Sequence, residues 1–252
     1  MNVFILATCR KPELLPFTTL VFKTLRVGFL TAKVKVTINN ISPEHGHQDV
    51  VECCNRVGAE IDSDVTIHHE WIERLVATND EPFWLVDTDM IFYDSFEGDK
   101  FDAPLAGYRI PEWRDDYSRA ITRARLHPSL LYVRPKEVRA AAVEFISKLP
   151  EGPFTPMANL FYPLCLPFKK QMYFYDTCAM LYQAIGGQAF TDAQKDKYCH
   201  FNFGTIPDLV LPRIPKADSI AMQMRREDIL NNPANGRGAW REAEFYYHAR
   251  RV

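Results

Sequence analysis

The chain lacks the marks of several large functional classes. Its six cysteines (Cys9, Cys53, Cys54, Cys165, Cys178 and Cys199) include no C-x-x-C pair, so the spacing of a zinc module is absent. They read as reduced thiols of a cytoplasmic protein. No apolar run is long enough to cross a bilayer. The longest, Leu160 to Phe168, is interrupted by Pro163 and Pro167. The apolar start, Met1 to Ala7, is short and runs into Arg10-Lys11-Pro12, which is not the pattern of a signal peptide. There is no strong charge of one sign: the formal net charge is −2 and the pI about 6.4. Such a balance fits neither a strongly basic nucleic-acid binder nor a disordered chain. No internal repeat or low-complexity tract is present. The first candidate turn, Ala7-Thr8-Cys9-Arg10, contains no glycine, so no glycine-rich phosphate loop opens the chain.

What is present is ordinary globular material. Hydrophobic residues make up 47% and charged residues 25% of 252 residues, enough for one substantial core. Asn2 to Thr8 is a continuous apolar run and reads as a strand buried on both faces. Pro12 to Val27 carries apolar residues at helical spacing and closes at Gly28, with Pro16 bending or delaying its start. Lys33 to Ile38 alternates as a half-buried strand ending at Asn39-Asn40. Ser42 to Gln48 reads as a polar loop. Asp62-Ser63-Asp64 is placed to cap a helix whose apolar face is Trp71, Ile72, Leu75 and Val76. That helix stops at Asn79-Asp80-Glu81-Pro82, and Phe83-Trp84-Leu85-Val86 follows as an apolar strand. Further on, Leu130 to Val133 reads as a strand, Lys136 to Leu149 as a helix, Thr177 to Ile185 as a short helix ending at Gly186-Gly187, and Tyr198 to Phe203 as a strand. The alternation predicts an α/β fold: a mostly parallel central sheet flanked by helices. Ligands of such sheets sit at the carboxyl ends of the strands, where Thr8, Asn39 and Asp87 fall.

The strongest chemical signal is the segment FWLVDTDMIFY, residues 83 to 93. Two carboxylates one residue apart, just past a buried strand, converge at the sheet edge and repel one another unless a cation lies between them. Mg²⁺ or Mn²⁺ suits that arrangement, with substrate phosphates completing the coordination. The plainer reading is a solvated acidic turn.

With these residues in view, the sequence resembles the GT-A glycosyltransferases. The resemblance spans roughly residues 1 to 205. It rests on the early strand ending in Ala7-Thr8-Cys9-Arg10, on WLVDTDMIF, on the segment His127 to Pro135 after the acidic motif, on Tyr175-Asp176-Thr177-Cys178-Ala179-Met180, and on His200-Phe201-Asn202-Phe203-Gly204. The last is similar to a late histidine segment of the glycogenin-like members, although Thr205-Ile206-Pro207 stands where a lysine usually follows. The resemblance implies a single GT-A domain over residues 1–252, with residues 1–98 as the nucleotide-sugar and metal half and 99–252 as the acceptor half with a C-terminal tail. It implies a nucleotide-sugar donor, by family analogy a UDP-sugar, and transfer to an acceptor hydroxyl.

The site residues implied are Asp87, Asp89 and His200 for the metal, and Thr8, Arg10, Asn39 and Asp87 for the nucleotide. Asp176 is the candidate general base. Each has a structural alternative: His200 a buried hydrogen-bonded histidine, Asp176 a helix N-cap, and Thr8, Arg10 and Asn39 strand-end caps or surface groups. His68 and His69, at the start of a helix, read as surface residues. Trp113 is the tryptophan best placed to meet an acceptor. The Arg-rich stretch 109–139 is either a solvated face of mixed charge or a strip for an anionic glycan or a modified nucleic-acid base. Two other functions compete: a haloacid-dehalogenase-like phosphatase using Asp87 as nucleophile and Asp89 as acid/base, and a GT-A domain that binds nucleotide without turnover.

Overall fold

The computed structural model describes residues 1–114, 120–149, 159–168, 171–201, 227–241 and 244. In chain order the first half runs β1 (Asn2–Ala7), α1 (Leu15–Thr18), α2 (Leu20–Gly28), β2 (Lys33–Asn39), α3 (His47–Arg56), β3 (Glu60–Asp64), α4 (His68–Thr78), β4 (Phe83–Val86) and β5 (Met90–Phe92). The second half continues with β6 (Leu105–Ile110), β7 (Trp113–Arg114), β8 (Ile121–Thr122), β9 (Arg125–Val133), α5 (Pro135–Ser147), β10 (Leu164–Phe168), β11 (Gln171–Tyr175), α6 (Ala179–Ile185), β12 (Gln188–Ala189), α7 (Asp192–Lys195) and β13 (Tyr198–His200).

Seven strands form the central sheet in the order β12-β6-β9-β4-β1-β2-β3. The pairs β1·β2, β1·β4, β2·β3 and β6·β12 are parallel, and β9 runs antiparallel between β4 and β6. The sheet is therefore mostly parallel, and strands from both halves of the chain build it. Period-two alternation sorts its side chains onto two faces. Val3, Ile5 and Ala7 of β1, Val34, Val36 and Ile38 of β2, and Trp84 and Val86 of β4 pack with α2 and α3. Phe4, Phe83, Leu85, Leu131 and Val133 pack on the other face with Trp71 and Ile72 of α4, Val138 of α5 and Met180 of α6. Helices thus cover both faces, and β4 and β1 beyond Asn2 are apolar because neither face meets water.

Several local expectations shift. Pro16 divides the first helix: a 3-10 turn at Pro12–Leu14 and the short α1 precede α2. The polar stretch from Ser42 leads into a helix, α3, and Asp62-Ser63-Asp64 is the end of strand β3 rather than a cap. α4 starts at His68 with Ile67 at its N-cap and no side-chain cap. The later strand begins earlier than Leu130, at Arg125, and this length matters for the site. The expected strand Tyr198 to Phe203 is observed as far as His200, and Phe203 lies outside the described residues.

A smaller antiparallel pair, β5 with β13, sets His200 opposite Met90. A tail segment backs it: Ile229 packs with Leu20, Ile91, Cys199 and Phe201, Tyr93 Oη donates to the Pro233 carbonyl at 2.5 Å, and Trp240 Nε1 donates to Asp196 at 2.7 Å. A second small sheet, β10-β11-β8-β7, flanks the start of β9.

Candidate metal centre

The acidic turn is built by its neighbours on three sides. The Asp87 amide donates to the Ser129 carbonyl of β9 at 2.7 Å, and the Thr88 carbonyl accepts from the Val21 amide of α2 at 2.9 Å. Thr24 Oγ1 accepts from the Phe92 amide at 2.9 Å. Gly28 lies so close that a Cβ there would stand 2.6 Å from Cγ of Phe92. The turn is therefore held at the carboxyl edge of the parallel strands as a fixed bend. β13 then delivers His200, because its register continues into a bond from the Phe201 amide to the Asp89 carbonyl at 2.9 Å.

The result is a cluster in which one ligand atom from each of Asp87, Asp89 and His200 lies within 4.8 Å of the others. His200 Nε2 is 3.3 Å from Asp89 Oδ1 and 3.9 Å from Asp87 Oδ2. Two ligands about 2.1–2.2 Å from one six-coordinate ion stand about 3.0 Å apart when adjacent and about 4.3 Å when opposite. Both His200–carboxylate separations fall in that range, and the two carboxylates and one imidazole suit Mn²⁺ or a related first-row cation. Exposure grades outward: the side chain of Asp89 is 5% exposed, His200 14% and Asp87 29%. Burial holds the Asp87 carboxyl above the usual carboxylate range. The charge of Asp89 adds to that, while His68 and His200 oppose it. A carboxyl pushed that way is stabilised by a cation as well as by a proton.

No protein-family model matches this sequence, and no curated protein matches it. Among solved structures the chain is similar to the apo form of the glycosyltransferase GlyE of Streptococcus pneumoniae TIGR4, at 13% identity and a TM-score of 0.41, covering 76% of this chain and 45% of that one. It is also similar to the mannosyltransferase PcManGT of Pyrobaculum calidifontis in complex with GDP-Man and Mn2+, at 11% identity and a TM-score of 0.35, covering 70% of this chain and 56% of that one. A putative glucose-1-phosphate thymidylyltransferase of Bacillus anthracis is similar at 13% identity and a TM-score of 0.34, covering 60% and 76%. The chain thus spans less than half the length of GlyE.

Two histidines outside the predicted set stand at the same edge. His68 Nε2 lies 3.9 Å from Asp87 Oδ1, whereas His200 lies near Oδ2 of the same carboxylate. His68 keeps the surface position expected of it, at 34% side-chain exposure, while standing beside the acidic turn. The ring of His127 packs against His200 at 4.9 Å between centroids. Its Nδ1 accepts from the Ser129 amide at 3.2 Å, which leaves the ring proton on Nε2. Burial, with His200, Arg125 and His68 nearby, keeps His127 well below the usual histidine range. Neither residue carries a local sequence signal. β9 extends back past Leu130 to place His127, and the α4 start places His68.

Asp176 is tied to the start of β9. Its Oδ2 is 2.6 Å from Nη2 of Arg125, the first residue of β9, which is 8% exposed. Its Oδ1 accepts the Thr177 amide at 2.8 Å. It is not the N-cap of α6, whose cap position is Cys178 in a left-handed conformation. Asn39 is engaged within the fold: it donates to Thr66 O at 2.9 Å and to Thr8 Oγ1 at 3.3 Å, and accepts from the Thr66 amide at 3.0 Å. It thereby ties the ends of β1 and β2 to the loop before α4. Arg10 is exposed. The Arg-rich stretch does not line one edge, because β9 carries it across the sheet from Arg125 to Val133. At its far end Arg139 donates to Val76 O and Asn79 O at 2.5 and 2.6 Å. Arg134 bonds Phe101 O and Glu137. Arg119 lies outside the described residues. Trp113 is half-buried on β7.

Proposed function

We propose that this chain is a metal-dependent glycosyltransferase of the GT-A type, moving a sugar from a nucleotide-sugar to an acceptor hydroxyl. The carrying observation is the Asp87, Asp89 and His200 cluster at the carboxyl edge of parallel β1, β2 and β4. That edge is where open α/β sheets take their ligands. Asp89, His200 and the more exposed Asp87 are the residues that would hold a divalent cation, Mn²⁺ or Mg²⁺. Such an ion neutralises the charge that develops on a departing diphosphate. Thr8 and Asn39 shape the floor of the nucleotide side, and exposed Arg10 is free to meet a donor phosphate or base. The donor is a UDP-sugar by the family resemblance alone.

Asp176 and Arg125 form the acceptor side of the same edge. An ionised carboxylate accepts up to about four hydrogen bonds, so Asp176 retains capacity for an acceptor hydroxyl after binding Arg125 and Thr177. Whether it removes the proton or only orients the hydroxyl separates inversion from retention of configuration.

The phosphatase reading requires Asp89 to serve as a mobile acid/base. Asp89 is 4% exposed, with its carbonyl fixed by Phe201, which disfavours that role. Thermal shift with nucleoside diphosphates, with and without Mn²⁺, tests the proposal. A ligand at 100 times its Kd raises stability by about 2.7 kcal/mol. Manganese-dependent stabilisation by one nucleotide, lost in Asp89→Ala, is the expected result. Equal nucleotide stabilisation in Asp89→Ala would remove the metal assignment.

A further inference from the structure

We infer that His68 binds a phosphate oxygen of the donor's diphosphate at the mouth of the metal centre, an inference that rests on the nucleotide-sugar reading above. His68 is 34% exposed at its side chain and faces Asp87 Oδ1, whereas Asp89 and His200 lie on the inner side. Its separation of 3.9 Å from that oxygen is too long for a hydrogen bond. It is also outside the group of ligand atoms that close within 4.8 Å, which consists of Asp87, Asp89 and His200. His68 is therefore neither a hydrogen-bond partner of Asp87 nor a member of the inner ligand set. It borders the open side of the cation position, where an oxygen brought in by a ligand would lie.

The fold fixes this imidazole. Its ring stacks on Trp71 at 6.2 Å and 26°. Trp71 is 2% exposed, and its Nε1 donates to Thr37 Oγ1 of β2 at 3.1 Å. Thr37 and Trp71 thus hold a ring that would otherwise sample several rotamers. An imidazole presents an N–H to a phosphate oxygen whether neutral or charged. α4 begins at His68 without a side-chain cap, and the first amides and positive dipole end of a helix favour an anion. Asn39, which bonds the Thr66 backbone through both ends of its amide, secures the approach to this turn.

The test is isothermal titration of Mn²⁺ alone, and of UDP, GDP and inorganic pyrophosphate in saturating Mn²⁺, against the wild-type chain, His68→Ala and His68→Gln. Pyrophosphate reports the diphosphate position without a base. His68→Ala is expected to weaken the diphosphates and pyrophosphate about tenfold or more, the value of a hydrogen bond to a charged group. Mn²⁺ alone should bind within about twofold of wild type, since His68 is outside the ligand set. His68→Gln, which restores an N–H donor, should recover most of the loss. Equal pyrophosphate affinity in wild type and His68→Ala overturns the inference. So does an equal loss of Mn²⁺ affinity, which would make His68 a metal ligand. No manganese-dependent diphosphate binding by the wild type would instead overturn the donor reading, and the inference with it.

Discussion

Replacing Asp89 with asparagine should make the metal-free protein more stable and the metal-loaded protein less so. Asp89 and Asp87 place carboxylate oxygens within 4.8 Å of one another, and Asp89 is 4% exposed. Two unit charges at that separation repel by about 3.5 kcal/mol at an effective dielectric constant of about 20. Asp87 is 29% exposed at its side chain, and His68 and His200 lie beside it, so water and the imidazoles reduce that figure. A relief of about 1–2 kcal/mol at pH 8 is the working value. For a chain of this size it corresponds to a rise in melting temperature of about 2–8 °C. In excess Mn²⁺ with nucleotide the wild type should gain about 2.7 kcal/mol at 100 times Kd, and Asp89→Asn almost nothing. The order of stability therefore reverses between the two conditions. Differential scanning fluorimetry, with urea titration as a second probe, reads both arms. A fall of several degrees in metal-free Asp89→Asn would refute the reasoning and make Asp89 a structural acceptor whose charge the fold requires.

The remaining predictions concern pH, the Arg125 pair and the bracing of the turn. The unfolded chain loses the Asp87 proton near pH 4 and the folded chain only at higher pH. Metal-free stability contributed by this group therefore falls as pH rises through that window. Asp64, bonded by Arg74, and Asp196, bonded by Arg241, are depressed and act in the opposite sense, losing their contribution as pH falls. The difference between wild type and Asp87→Asn across pH 4–8 should isolate the first effect, and a flat difference would be evidence against it. Asp176→Asn should destabilise by about 2–4 kcal/mol, because it strips the charge partner from Arg125, which is 8% exposed. Transfer assays on this variant need a parallel melting curve, and an unchanged curve would show that the pair contributes little. Gly28→Ala should cost about 1–3 kcal/mol in urea titration, since its Cβ meets Phe92 at 2.6 Å. It should also weaken Mn²⁺ binding in a metal titration, because Phe92 belongs to the strand that follows Asp89.

The legible parts of the fold were those whose environment is uniform along the chain. β1 and β4 are buried on both faces and read as unbroken apolar runs. α4 showed its buried stripe of Trp71, Ile72 and Val76. Two neighbours left no such trace. α3 buries Val50, Cys53 and Cys54 along a stripe among charged residues, which reads as polar. β3, at the sheet edge, is Glu-Ile-Asp-Ser-Asp and almost wholly exposed. Backbone pairing with β2 makes it a strand, and its side chains carry no periodicity to report that. The site divides the same way. Asp87 and Asp89 flank Thr88 in the sequence and follow a visible strand. His200 was reached by resemblance, and the β5·β13 register explains its position. His68 and His127 are brought in by a helix start and a strand length, both of them tertiary outcomes.

The β13 register has a kinetic consequence. The candidate centre joins two stretches separated by roughly a hundred residues, a closure that comes late in folding for entropic reasons. A cation bridging them would act as a clasp on a finished structure. It should slow unfolding far more than it speeds folding, since contacts absent from the transition state change the unfolding rate. Removing the ion should then first loosen β13 and the tail that backs it through Ile229 and Trp240. Amide hydrogen exchange should show that loosening in Tyr198 to Phe201 well before the central strands lose protection.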